Sequence, residues 1–281
     1  MCGIIGYMGP RDDAMSVIIK GLKKLEYRGY DSWGMGYVRA DGTLGAPIKQ
    51  VGAIGDFDEK SALYKKIAGV KNSFAVIGHT RWATTGKVSK TNAHPHFSNN
   101  GKIAVVQNGI VENFNELKKT LEARGFKFKS DTDTEVIANL IEYETGRVKS
   151  KNRALFAVRA AFKKLAGRNA IAAIFEETGE MIAARNGSPL IIGVGKNEYF
   201  VASDIPAFLE YTNKVIYLDD GQFAIIKNRG GGIEFYGVSS RKKIQRRIVT
   251  VGLKLESVDK GKFKHFMIKE IMEQKDTIRR L

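Results

Sequence analysis

Cys2 is the only cysteine in the 281 residues, and it stands directly after the initiating methionine with Gly3 behind it. A small second residue favours removal of Met1. That would leave on one residue a thiol of reference pKa about 8.5 and an α-amine of about 7.7 to 8. Such an amine can take the thiol's proton, which is the logic of an N-terminal nucleophile. A lone cysteine at a random position is more often a buried apolar residue. The second position, and a strand that begins there, argue instead for a nucleophile presented at an edge.

Attack of a thiolate on a carbonyl needs donors for the developing oxyanion. Asn108-Gly109, at a strand end, can offer one side-chain amide and one backbone N–H. An isolated Asn-Gly more commonly makes only a turn. Arg81, on a loop after a buried strand, could grip a substrate carboxylate with two parallel bonds, although an isolated arginine is more often a surface residue. Asp133 could accept from a substrate ammonium, and helix capping accounts for it equally well. His94 and His96 invite a zinc reading, but further ligands could come only from Cys2 or His79, so no metal is expected. Gly6-Tyr7-Met8-Gly9 lacks the spacing and the Lys-Ser/Thr ending of a phosphate loop, and no cofactor is expected.

The elements that must position these residues follow from pattern. A buried strand over 2–7 is stopped by Met8-Gly9-Pro10. Pro10 and Asp12-Asp13 then open a helix with Met15, Ile18, Ile19, Leu22 and Leu25 on one face. Strands are predicted over 35–39, 74–78 and 103–107, with a hairpin turn at Asp41-Gly42. The strand over 74–78 empties into the polar cluster His79 to Gly86, the sort of place where sites lie. Helices are predicted over 114–124, 132–143 and 153–165, the second announced by Ser130-Asp131-Thr132-Asp133 as a cap. Strands follow over 170–175, 181–185, 190–193, 199–202, 214–218, 223–227 and 233–236, with one short helix at 206–210. Two strand-rich parts separated by helices suggest two sheets face to face with helices outside, and a simpler α+β arrangement stays open.

Composition narrows the class. With 43% hydrophobic residues the chain can bury a large core, and no run of about 18 apolar residues marks a membrane span. A single cysteine permits no internal disulfide, which with the absent secretory pattern predicts a cytoplasmic protein. The net charge of +16 raises nucleic acid as a partner. About half of it lies in residues 239–281, where 13 Lys/Arg face 5 Asp/Glu, and no recognition module accompanies it, so a nucleic-acid role is not expected. One domain over 2–240 with a basic extension over 241–281 is predicted. Phe263, Phe266, Met267, Ile271, Ile278 and Leu281 share one helical face in that tail.

Six strings, in order, carry a specific resemblance: Cys2-Gly3-Ile4-Ile5-Gly6-Tyr7, Leu25 to Ser32, Gly78-His79-Thr80-Arg81-Trp82-Ala83-Thr84, Asn92-Ala93-His94-Pro95-His96, Asn108 to Asn113, and Ser130 to Glu135. Together they resemble the glutaminase domain of the glucosamine-6-phosphate synthases, which are class II glutamine amidotransferases. The resemblance runs to about residue 275, where Phe263 to Gln274 is similar to that family's linker into its sugar-binding half. It implies an α+β fold, the four-layer αββα sandwich of N-terminal-nucleophile hydrolases, and hydrolysis of L-glutamine to glutamate and ammonia. By resemblance Cys2 forms a γ-glutamyl thioester, with its own amine shuttling the proton. Asn108 and Gly109 make the oxyanion hole, Arg81 binds the α-carboxylate and Asp133 the α-ammonium. Arg28 helps anchor the N-terminus, and Trp82 and Thr84 line a loop that closes over glutamine. The ammonia would pass to a sugar-isomerase domain or subunit that binds fructose 6-phosphate. A different acceptor, or a non-catalytic basic binding protein, are the alternatives, and self-association stays open. Three departures stand out: Thr85 and Gln107 where the family has histidine, and Trp33 where it has a small residue. The last is expected to reshape the pocket wall.

Overall fold

The computed structural model describes residues 2–55, 57–150, 152–228, 230–239, 242–253, 263 and 266–279. Strand β1 (Gly3–Met8) leads through helix α1 (Ala14–Lys24) to β2 (Ser32–Val38), β3 (Ile48–Val51), α2 (Ala62–Ala68) and β4 (Ala75–Arg81). Short β5 (His96–Phe97) and β6 (Ile103–Gly109) precede helices α3 (Phe114–Glu122), α4 (Asp133–Arg147) and α5 (Arg153–Phe162). Then come β7 (Asn169–Phe175), β8 (Met181–Asn186), β9 (Ile191–Val194), β10 (Tyr199–Ala202), β11 (Lys214–Tyr217) and β12 (Gln222–Ile226). Strands β13 (Ile233–Gly237), β14 (Lys243–Ile244) and β15 (Val249–Thr250) follow, and helix α6 (Phe266–Ile278) comes last.

The strands form two antiparallel sheets, ordered β15-β11-β9-β10-β1-β4-β2-β3 and β14-β13-β12-β8-β7-β6-β5. Three apolar layers explain why they stack. Ile5, Tyr7, Trp33, Met35 and Val76 face α1 and α2, packing on Met15, Ile18 and Leu22. Ile4 and Ile77 of the first sheet meet Ala104, Val106, Ala172 and Ala183 of the second. Val105, Ile171, Ile182 and Phe223 face α4 and α5. Buried on both faces, the strands read as continuous apolar runs rather than alternating ones. The result is the four-layer αββα sandwich.

Side-chain alternation along a strand then sorts the polar residues. In β4, Val76 faces the helices and Ile77 the other sheet, so His79 and Arg81 also point between the sheets. In β1, Ile5 points outward and Ile4 inward, which puts Cys2 inward. In β6, Ala104 and Val106 point inward, so Asn108 does too, while Gln107 points to α4. Opposite parity sends Trp33 outward, where its ring lies 4.8 Å from Phe57 under α2. The expectation that Trp33 reshapes the pocket wall is thereby corrected: it fills the outer core.

Other differences are local. Strand β2 starts at Ser32 rather than 35, and neither β3 nor α2 was expected. α2 buries only Ile67, so its periodicity is faint, and it is held by the Ser61 cap, whose Oγ accepts from Tyr64 N at 3.1 Å. α6 spans 13 residues with Ile271 and Ile278 exposed. Leu281 and the side chains of Phe266 and Met267 lie outside the described residues. No helix among the described residues is long and apolar enough to cross a membrane.

Candidate active site

One end of the sandwich collects the start of β1, the ends of β4, β6 and β10, and the start of α4. Cys2 Sγ donates to the Trp82 carbonyl at 3.4 Å and accepts the Trp82 N–H at 3.2 Å. Gly3 allows this approach, because a Cβ there would lie 2.6 Å from Thr80 Oγ1 and 2.8 Å from Leu25 Cβ. Burial pushes the thiol pKa up. The Trp82 bond, the chain terminus and Arg81 pull the other way. The thiol therefore stays protonated near neutrality.

Asn108 lies against Cys2. Its Nδ2 donates at 2.8 Å both to the Cys2 carbonyl and to Ser203 Oγ, and Ser203 Oγ also accepts the Ile4 N–H at 2.8 Å. Gly109 has φ +122°, and a Cβ there would fall 1.8 Å from the Arg168 carbonyl, so no other residue fits. The next ladder bond runs from Ile110 N to Arg168 O at 3.3 Å. Gly109, opposite Asn169, is thus a non-bonded pair, and its N–H faces away from β7. The Asn108 amide thus lies against the Cys2 backbone carbonyl, and the Gly109 N–H is turned away from β7.

Arg81 is near but engaged. Its guanidinium donates to the carbonyls of Thr85, Gly86 (3.4 Å) and Lys87 (3.2 Å), so the loop wraps its own arginine. Asn92 pins that loop, donating to Lys87 O at 3.0 Å and Asp131 at 3.1 Å. Trp82 is 45% exposed and its ring lies 5.5 Å from Tyr30, while Thr84 is exposed on the same loop. Asp133 opens α4, buried, with Oδ2 accepting the Val111 N–H at 2.8 Å. Burial raises its carboxyl pKa, and that N–H opposes the rise. Arg28 stands further off, its Nη2 bonded to Asp204 Oδ2 at 2.7 Å, next to Ser203. Ser203 Oγ in turn accepts the Ile4 N–H of β1.

The Ser130 to Asp133 cap works differently from the expectation. Thr132 is the N-cap residue but makes no side-chain cap bond, its hydroxyl being 2.9 Å from His96 Nε2. Glu135 instead accepts the N–H groups of Lys129 and Ser130, at 2.8 and 2.7 Å. The histidines do not converge on a common point: His79 and His94 stack at 4.0 Å, and His96 packs edge-on to His94 at 5.0 Å. No group of three or more His, Cys, Asp or Glu arranged to hold a metal occurs among the described residues. Sequence reasoning missed Ser203. The signal was present in Ser203-Asp204 after a buried strand, the same pattern that drew attention to His79.

Residues 79–210 match the glutamine amidotransferase domain family. Over 99% of its length the chain is 47% identical to the isomerizing glutamine–fructose-6-phosphate aminotransferase of Pyrococcus horikoshii, covering 45% of that protein. It is 44% identical to the enzyme of that name from Bacteroides thetaiotaomicron, again over 99% of this chain and 44% of the relative. The chain thus spans less than half the length of these relatives. Among solved structures, the glutamine phosphoribosylpyrophosphate amidotransferase of B. subtilis superposes with a TM-score of 0.69 at 28% identity, over 86% of this chain and 50% of that one. The chain thus carries a match to the glutamine amidotransferase domain over residues 79–210 and is similar, over nearly its whole length, to less than half the length of glutamine–fructose-6-phosphate aminotransferases.

Proposed function

We propose that this chain hydrolyses L-glutamine to glutamate and ammonia through a γ-glutamyl thioester on Cys2. The supporting observation is Cys2, whose backbone carbonyl accepts the Asn108 amide and whose thiol rests on the Trp82 backbone, directly after Arg81 ends β4. The thiol's hydrogen-bond partners are a backbone N–H and a backbone carbonyl, neither of them a base. A half-buried thiol whose pKa is pushed up by desolvation needs one. The α-amine exposed by loss of Met1 serves, taking the Sγ proton as sulfur adds to the amide carbon.

The oxyanion that forms takes a hydrogen from Asn108 Nδ2, in place of Ser203 Oγ or the Cys2 carbonyl, and a second from the Gly109 N–H. Arg81 exchanges its loop carbonyls for the substrate α-carboxylate, a fork-to-fork match. Asp133 holds the α-ammonium, Arg28 braces the N-terminus, and Trp82 and Thr84 cover the bound amino acid. The amine's proton then passes to the leaving nitrogen, the C–N bond breaks and ammonia departs. Water cleaves the thioester to glutamate and restores the thiol.

Residues 2–240 form the amidotransferase domain and 241–281 a basic extension toward a sugar-isomerase domain or subunit, in the cytoplasm. There the ammonia converts fructose 6-phosphate to glucosamine 6-phosphate. Ammonia release from glutamine is expected to be undetectable in Cys2→Ala, and a comparable rate in that variant would contradict the mechanism. Product glucosamine 6-phosphate should appear only when a sugar-isomerase protein and fructose 6-phosphate are added.

A further inference from the structure

His79 takes no part in the steps above, yet it is fully buried and touches Asn108 directly. Its Nε2 lies 2.9 Å from the Gln107 carbonyl and 3.1 Å from Asn108 Oδ1. A carbonyl oxygen only accepts, so Nε2 carries the proton. On the other side of the amide, the Cys2 carbonyl also only accepts, which requires Nδ2 there and Oδ1 toward His79. The two ends fix each other: His79 Nε2–H to Asn108 Oδ1, then Asn108 Nδ2–H to Cys2 O.

The ring's own orientation is set from behind. His94 stacks on it at 4.0 Å with 26° between planes. His94 Nδ1 accepts the Gln107 N–H at 3.4 Å, so its Nε2 donates to Thr134 Oγ1 at 3.1 Å. Thr134 passes the polarity on to Gln107 Oε1 at 2.5 Å, and Gln107 Nε2 donates to Asn169 at 2.8 Å. Meanwhile His79 Nδ1 is buried with no hydrogen-bond partner among the described residues. An unmet buried acceptor is unfavourable, so an apolar side chain would suit packing alone better than this imidazole. Both bonds the ring does make go to Gln107 and Asn108.

We propose that His79 is the positioning residue that holds the Asn108 amide with its N–H edge toward the reacting carbonyl, acting as a neutral Nε2–H donor. This rests on the reading of Asn108 as an oxyanion donor. Without the donor, Asn108 can turn its oxygen toward Cys2 and offer the oxyanion a repulsive lone pair.

The test is a cycle of His79→Leu, His79→Gln, Asn108→Ala and the His79→Leu/Asn108→Ala pair, with kcat and KM for glutamine. Removing a single oxyanion donor lowers kcat by about 10²–10³, so His79→Leu is expected to lose about tenfold to a hundredfold in kcat with KM moved less than about twofold. His79→Gln, which places an amide N–H near the Nε2 position, recovers most of that loss. The pair falls no lower than Asn108→Ala alone. Independently, nitrogen NMR of the unmodified protein should show His79 protonated at Nε2 and bare at Nδ1. Additive losses in the pair, an unchanged kcat in His79→Leu, or the opposite tautomer would overturn the proposal. If His79→Leu does not fold, the tautomer and His79→Gln decide, and a Gln variant as slow as Asn108→Ala counts against it. An Asn108→Ala variant with normal kcat would instead refute the oxyanion reading itself.

Discussion

The two groups gathered around Cys2 are built differently. Asn108 and its supports sit at strand ends, with both amide hydrogens and the carbonyl oxygen already engaged by Cys2, Ser203 and His79. Arg81 also ends a strand, but its guanidinium is occupied by carbonyls of the Thr85–Lys87 loop, beside a Trp82 ring that is 45% exposed. The difference teaches a division of labour. Asn108, the proposed oxyanion donor, is fixed at a buried strand end and backed by a histidine stack, so meeting a developing charge asks it to exchange one hydrogen bond without moving its backbone. Arg81, the proposed carboxylate clamp, is held by carbonyls of a loop, and a carboxylate can replace those bonds.

Acid should separate the two groups most strongly. Burial lowers the pKa of His79 to about 3, and holds His94 and His96 well below the usual histidine value. Below the unfolded value of about 6.5 the unfolded chain binds protons that the folded chain refuses, so stability falls as pH drops. In that window each neutral histidine removes about 1.4 kcal/mol per pH unit, or about 4 kcal/mol for three. Chemical denaturation between pH 7 and 5 measures the slope. A stability flat across that range would mean that the stack is hydrated or already charged.

Next in size, Asn108→Ala is expected to lower kcat by about 10²–10³ with little change in KM. Arg81→Lys should do the converse, raising KM about tenfold to a hundredfold with kcat less affected, because a point charge cannot reproduce the two-pronged bond. Equal falls in kcat for both would erase the distinction between the two groups. The smallest effect belongs to Trp82→Ala, a few-fold rise in KM by loss of an exposed cover. Steady-state glutaminase kinetics reads all three.

Legibility in the sequence followed the same division. The strand-borne residues stood out because long apolar runs ended abruptly in polar clusters, as at Gly78-His79 and Gln107-Asn108. Trp33 was misjudged because its direction depends on strand parity, which glycines at 34 and 36 conceal. α2 and β3 were missed since each presents little buried surface to impose a pattern. The direction of the Asn108 amide, and with it the function of His79, depends on hydrogen bonds between residues 29 apart. No local spacing encodes that. The cap of α4 was legible only as the string Ser130 to Asp133: the N-cap within it is Thr132, whose hydroxyl meets His96 across the core rather than the helix backbone.

Treating the purified protein with an electrophilic diazoketone analogue of glutamine and weighing the intact chain and its peptides bears on the nucleophile itself. The expected spectrum is a chain that starts at Cys2 and carries one adduct, on that residue. A chain that keeps Met1 while hydrolysing glutamine at full rate, or an adduct on any other side chain, would contradict it.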